Sequence, residues 1–134
     1  MAFLIPVLLL GLMLHFGSST GAQPSPPALT RLSAVALQAQ AYEAASATRP
    51  RIIRSVREAA AYFSPEDLAL LGREVDFSQQ QVLLFAWRGS GQDRLEATLD
   101  AGAARFTYSP GRTRDLREHH QVFVLGADLP WSVR

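Results

Sequence analysis

The spacing of apolar positions changes character several times along this chain of 134 residues. Residues 2–16 are an unbroken uncharged apolar run. A polar stretch rich in small residues and proline follows, and apolar positions then return at Leu32, Val35, Ala36, Ala39 and Tyr42. That spacing suits a helix, and the alanine content supports it, but the alternation Val35, Leu37, Ala39 suits a strand nearly as well. After Pro50, "RIIRS" reads as a short strand. Ser55 and Glu58 have capping-box spacing, which predicts a helix from about 56 to 63. Ser64-Pro65-Glu66-Asp67 begins a second helix: a serine cap, proline in the first turn, acids against the dipole, and Gly72 as the expected stop.

Beyond Asp76 the period falls to two. Residues 81–87 carry Val82, Leu84 and Ala86 on one face and Leu83, Phe85 and Trp87 on the other, the pattern of a strand buried on both sides. Residues 94–99 turn Leu95, Ala97 and Leu99 inward, and residues 104–108 do the same with Phe106 and Tyr108. Asp100-Ala101-Gly102-Ala103 joins them as a hairpin turn. Residues 121–125 are a further strand, and Trp131 and Val133 in the tail cover an edge or add another. The order predicts an α+β fold: an antiparallel meander of about four to five strands with two short helices packed on one face. The doubly apolar strands need cover on their second face, from the N-terminal segment, the C-terminal tail or a partner subunit.

The first apolar run is shorter than the ~20 residues that span a bilayer, and small residues follow it, Thr20-Gly21-Ala22. Residues 1–22 therefore read as a signal peptide cut after Ala22, 23–33 as a flexible proline-rich lead, and 34–134 as a single small domain. The protein is expected to be exported, periplasmic or secreted. No lysine or arginine precedes Arg31, so an N-terminal anchor retained in the membrane is the alternative.

Composition narrows the chemistry. There is no cysteine, which removes disulfides, thiolate metal sites, a cysteine nucleophile and lipidation of a cysteine after the leader. There is no lysine among the 13 basic residues, which removes Schiff-base chemistry and the lysine of a phosphate loop. A net charge of +1 gives no broad field for nucleic acid or anionic lipid, so neither is an expected partner of the mature form. No cofactor is expected.

Two polar constellations remain. In Arg88-Gly89-Ser90-Gly91-Gln92-Asp93 the glycines sit beside the serine instead of two residues away, so it is no nucleophile elbow. A strand follows it, so it is no dinucleotide loop. It is a glycine-rich turn or a ligand-contacting loop. In "GRTRDLREHH", residues 111–120, arginine forks suit a carboxylate or phosphate. Alternatively the arginines pair with Asp93 or Asp115 and pin a loop. His119 and His120 point to opposite faces of a strand and cannot share one ion, so no metal site is expected.

The span from "SVREAA" through "LPWSV", about residues 55–134, resembles a set of uncharacterised exported bacterial proteins. The shared pattern is Asp76-Phe77, an apolar strand, Trp87-x-Gly89-Ser90-Gly91-x-Asp93, Gly111-x-Thr113-Arg114-Asp115-Leu116-Arg117-x-His119 and Trp131. A looser similarity, in the order of Asp-Phe, apolar strand and glycine loop, is to the small domain of a protease-complex accessory subunit. The resemblance implies that the two polar motifs form a matched pair, with Asp93 facing Arg114 or Arg117. The reading favoured is a non-catalytic binding or interaction module. Arg88, Ser90, Asp93, Arg114, Asp115, Arg117 and His119 are its candidate ligand-contacting residues, toward a small anionic ligand or a protein partner. A hydrolase or metal-assisted enzyme built on Ser90, Asp93, Asp115 and His119 is one alternative, and a structural protein forming homo-oligomers is the other.

Overall fold

The structure, a computed structural model, describes residues 27–33 and 35–134. The expected signal peptide and its cleavage point lie outside the described residues. Mixed α and β content is found, with strands predominating. In chain order the elements are β1 (Leu29–Leu32), α1 (Ala41–Ala44), β2 (Arg51–Ile53), α2 (Val56–Ala59), α3 (Pro65–Glu74), β3 (Gln80–Gly89), β4 (Arg94–Asp100), β5 (Ala103–Ser109), β6 (Arg117–Gly126) and β7 (Trp131–Val133).

The strands do not form one meander. They divide into a four-stranded sheet, β1-β6-β3-β2, and a three-stranded sheet, β4-β5-β7. The reason lies in β3. Its whole length from Gln80 to Trp87 is buried, and it pairs with β6 over ten positions, from Gln80↔Gly126 to Gly89↔Arg117. Val82, Leu84 and Ala86, with Val122 and Val124 of β6, face the helical layer, where Ala41, Ala59, Phe63 and Leu71 meet them. Leu83, Phe85 and Trp87, with Phe123 and Leu125, face Leu95, Ala104 and Phe106 of the second sheet. The cover demanded by the doubly apolar strands thus comes from this chain's own β4, β5 and β7, and a partner subunit is not needed for it. Three phenylalanines join the sheets: Phe106 lies 4.9 Å from Phe85 and 5.0 Å from Phe123, ring centre to ring centre, at the tilted angles such rings favour. Gln121 of β6 adds a polar tie, donating from Nε2 to the Leu95 carbonyl of β4 at 3.1 Å.

Local sequence explains most boundaries. The Ser55 and Ser64 hydroxyls accept from Glu58 N at 3.1 Å and Asp67 N at 3.3 Å, capping α2 and α3. Asp67 also accepts the Ala36 amide at 2.8 Å, tying α3 to the segment before α1. The β4–β5 hairpin turns through Ala101 (φ 50°) and Gly102 (φ 76°), the two left-handed residues that match strand twist. Four expectations are corrected. Residues 31–46 form neither one helix nor one strand but the end of β1, an isolated bridge from Leu37 to Phe63 and the short α1. Leu29–Leu32 pair with β6 and are not part of a lead. The third helix runs past Gly72 and ends at Glu74. Leu99, expected inward, is 48% exposed beside the hairpin turn.

The inter-sheet core is therefore the stability determinant. Phe106→Ala should destabilise by about 3–5 kcal/mol in urea unfolding, whereas Leu99→Ala should stay within ~0.5 kcal/mol. Equal losses at the two positions would show that the second sheet is not packed on the first as described.

Candidate functional site

The chain crosses from the first sheet to the second between β3 and β4, and returns between β5 and β6. These crossings are residues 90–93 and 110–116, the two polar motifs, and they meet. Asp93 stands at the centre. Its Oδ2 accepts the Trp87 indole N–H at 3.1 Å and the Tyr108 hydroxyl at 3.0 Å, and its Oδ1 accepts the Gly111 amide at 2.7 Å. One carboxylate thereby gathers donors from β3, β5 and the returning loop. Burial pushes its pKa up, but the bonds from Gly111, Tyr108 and Trp87 and the charge of His119 outweigh that, leaving it below the ordinary value. Burial and the Asp93 carboxylate raise the Tyr108 hydroxyl in turn.

Asp115 works from the other side. It accepts the Thr113 hydroxyl, then the Gly91 amide at 3.1 Å and Arg117 Nε at 3.0 Å, and these bonds hold its pKa well below the carboxylate range. Ser90 completes the joint. Its Oγ accepts the Gln92 amide at 3.2 Å and the Thr113 amide at 3.1 Å, and it also bonds Thr113 Oγ1. Thr113 has one hydroxyl proton and gives it to Asp115, so in the Ser90–Thr113 bond the serine is the donor. The hydrogen bonds run in one direction, Ser90 to Thr113 to Asp115. Gly111 permits the approach: a Cβ there would lie 2.6 Å from the Gln92 carbonyl carbon and 2.6 Å from Ser90 Oγ.

These partners settle several expectations. Asp93 does not face Arg114 or Arg117. It is held by uncharged donors, and Arg117 pairs with Asp115 at an exposed position. A Ser90–His119–Asp115 relay is not assembled. His119 Nε2 bonds the Ser90 carbonyl oxygen at 2.8 Å, so that nitrogen carries a proton, and the ring stacks on Trp87 at 5.0 Å and 14°. The serine hydroxyl has one proton donated and two accepted, which leaves no lone pair for attack. Arg88 lies on the helical face of β3, paired with Glu118 at 3.3 Å and 5.3 Å from the Tyr42 ring centre, away from the loop junction. Arg114 is exposed. His120 is on the face opposite His119, with Nδ1 3.3 Å from the Tyr42 hydroxyl. Among the described residues no three His, Asp or Glu side chains gather to hold a metal ion.

Sequence reasoning placed Trp87, Gly111 and Thr113 in the paired motifs without giving them a partner, and missed Tyr108 as a member of the joint. The signals were present: an indole six residues before Asp93, and a threonine two residues before Asp115. Beside the joint, a shallow cleft of about 560 Å³ opens, lined by Gly91, Gln92, Asp93, Arg94, Ser109, Pro110, Gly111 and Arg112. Among the described residues Arg94, Arg112 and Arg114 form no ion pair. Comparison with protein-family models, curated proteins and solved structures finds no match to this chain.

The joint should behave as a coupled unit with a defined pH response. Because the folded pKa of Asp93 is depressed, its stabilisation is complete above the unfolded carboxylate pKa of ~3.9 and is lost as pH falls toward the lower folded value. Asp93→Asn should lower stability by about 2 kcal/mol at pH 7 and flatten the loss below about pH 4. Tyr108→Phe should cost about 1 kcal/mol in the native protein and almost nothing in the Asp93→Asn background. Additive losses and an unchanged acid limb in urea titrations would remove Asp93 from the centre of the joint. Gly111→Ala should separate the loops, read as deprotection of the Thr113 and Gly91 amides in hydrogen exchange.

Proposed function

We propose that this protein is an exported, non-catalytic binding module whose contact surface is built by loops 88–93 and 111–120, and that it contacts an anionic group. One observation carries the reading. Both carboxylates and the serine of the constellation are bonded within the protein, while Arg94 and Arg112 line an open cleft together with the already bonded Asp93 and form no ion pair among the described residues. Guanidinium forks so placed suit a carboxylate, phosphate or sulfate. The ligand-facing set is thereby shifted from the residues expected first. Arg94 and Arg112 enter it beside Arg114, Asp93 lines the same cleft with its oxygens already bonded, Ser90, Asp115, Arg117 and His119 support the surface, and Arg88 lies away from it. The apolar leader supports export, and the resemblance to exported bacterial proteins with paired motifs belongs to the same proposal.

The hydrolase reading is weaker because the Ser90 hydroxyl is fully bonded and His119 addresses the carbonyl beside it. The oligomer reading loses its main ground, since the second face of β3 is covered internally.

A thermal-shift screen tests the proposal on protein recovered after periplasmic expression of the full chain. Citrate, phosphate or sulfate at about ten times its Kd should raise the melting temperature by a few degrees, and Arg112→Gln should abolish the rise. The absence of any shift across the anions, or a shift unchanged in Arg112→Gln, would overturn it.

A further inference from the structure

Residues 111–116 alternate in what they do. Gly111, Thr113 and Asp115 are bound to loop 90–93 through the Gly111 amide, the Thr113 amide and hydroxyl, and the Asp115 carboxylate. The intervening Arg112, Arg114 and Leu116 are exposed, and Leu116, at 75%, is the most exposed large apolar side chain among the described residues. Arg112 and Arg114, two residues apart, lie no more than about 7 Å from each other along the chain. The segment is held in this form before any partner arrives, which removes much of the ordering cost of binding. It runs into β6 at Arg117, whose guanidinium is occupied by Asp115.

We infer that this pinned segment is a docking edge for an extended acidic peptide of a partner protein. Alternate carboxylates of the peptide meet Arg112 and Arg114, one reaches Arg94 in the adjoining cleft, and an apolar side chain packs on Leu116. Charge complementarity supports this occupant, because these three arginines have no carboxylate partner among the described residues. An extended peptide repeats its side chains every second residue at the spacing of the arginines. A membrane surface fits less well, since polybasic lipid sites gather ~4–8 cations and the whole chain carries a net charge of +1. The inference rests on the reading of this surface as anion-contacting.

Fluorescence anisotropy tests it with protein recovered after periplasmic expression of the full chain. The probe is a short fluorescein-labelled peptide with glutamate at alternate positions and one terminal leucine. The glutamate peptide should bind at least about tenfold more tightly than its glutamine counterpart. Arg112→Gln and Arg114→Gln should each weaken it roughly threefold. Leu116→Ser should weaken the peptide and leave the citrate thermal shift unchanged. If citrate still shifts the melting temperature but the peptide is indifferent to Arg114→Gln and Leu116→Ser, the cleft stands and the docking edge falls. If neither citrate nor peptide binds, both readings fall. Tighter binding to phosphatidylglycerol vesicles than to the peptide would overturn the inference in favour of a membrane surface.

Discussion

A half-buried carboxylate with three donors around it holds together the place where two sheets exchange the chain. Asp93 receives an indole from β3, a phenol from β5 and an amide from the returning loop, and among the described residues no other side chain joins three elements in this way. A charged group taken partly out of water is tolerable only when its lone pairs are met, and here they are met by neutral donors fixed by the strands themselves. Removing any donor leaves the carboxylate underbonded, and removing the carboxylate leaves three donors facing one another. Asp115 repeats the logic at the surface with Gly91, Thr113 and Arg117. The polar corner and the aromatic core beneath it are continuous through Trp87, which packs against Tyr108 and His119 while donating to Asp93.

The layers follow from a strand that has no polar face. Gln80 to Trp87 are all buried, so β3 must lie in the middle of something with structure on both sides. Helices supply one side. A hairpin with the parallel strand β7 added supplies the other, and the chain therefore has to leave the central sheet at the end of β3 and return at the start of β6. Those two exits lie at one end because β3 and β6 are antiparallel neighbours in register, Gly89 opposite Arg117. The adjacency of the two polar loops is a consequence of that pairing and requires no separate explanation.

Much of this was legible in the sequence, and the failures have physical causes. Helix caps at Ser55 and Ser64, the strand at 81–87, the alternation over 94–97 and 104–108 and the two polar motifs are local signals, and local signals survive into the fold. The division into two sheets is not local. Periodicity states that β3 needs cover on both faces but not which strands provide it, so a single meander fitted the same pattern. Residues 31–46 have small apolar side chains compatible with either period, and pairing with β6 and the bridge to Phe63 decided among conformations that the segment's own propensity left nearly equal. At the site, opposite charge suggested that Asp93 would face an arginine. The structure instead satisfies it with a tryptophan, a tyrosine and a glycine amide, donors that carry no charge for a sequence pattern to reveal.

The one-way hydrogen-bond chain from Ser90 through Thr113 to Asp115 has an evolutionary reach. A substitution at any of the three breaks a direction that the other two depend on, so two motifs about twenty residues apart in the chain are coupled. Arg112, Arg114 and Leu116 are outside that contract. Drift at these three positions changes what the corner presents without disturbing how the corner is built, which makes the same scaffold able to acquire new specificities one exposed side chain at a time.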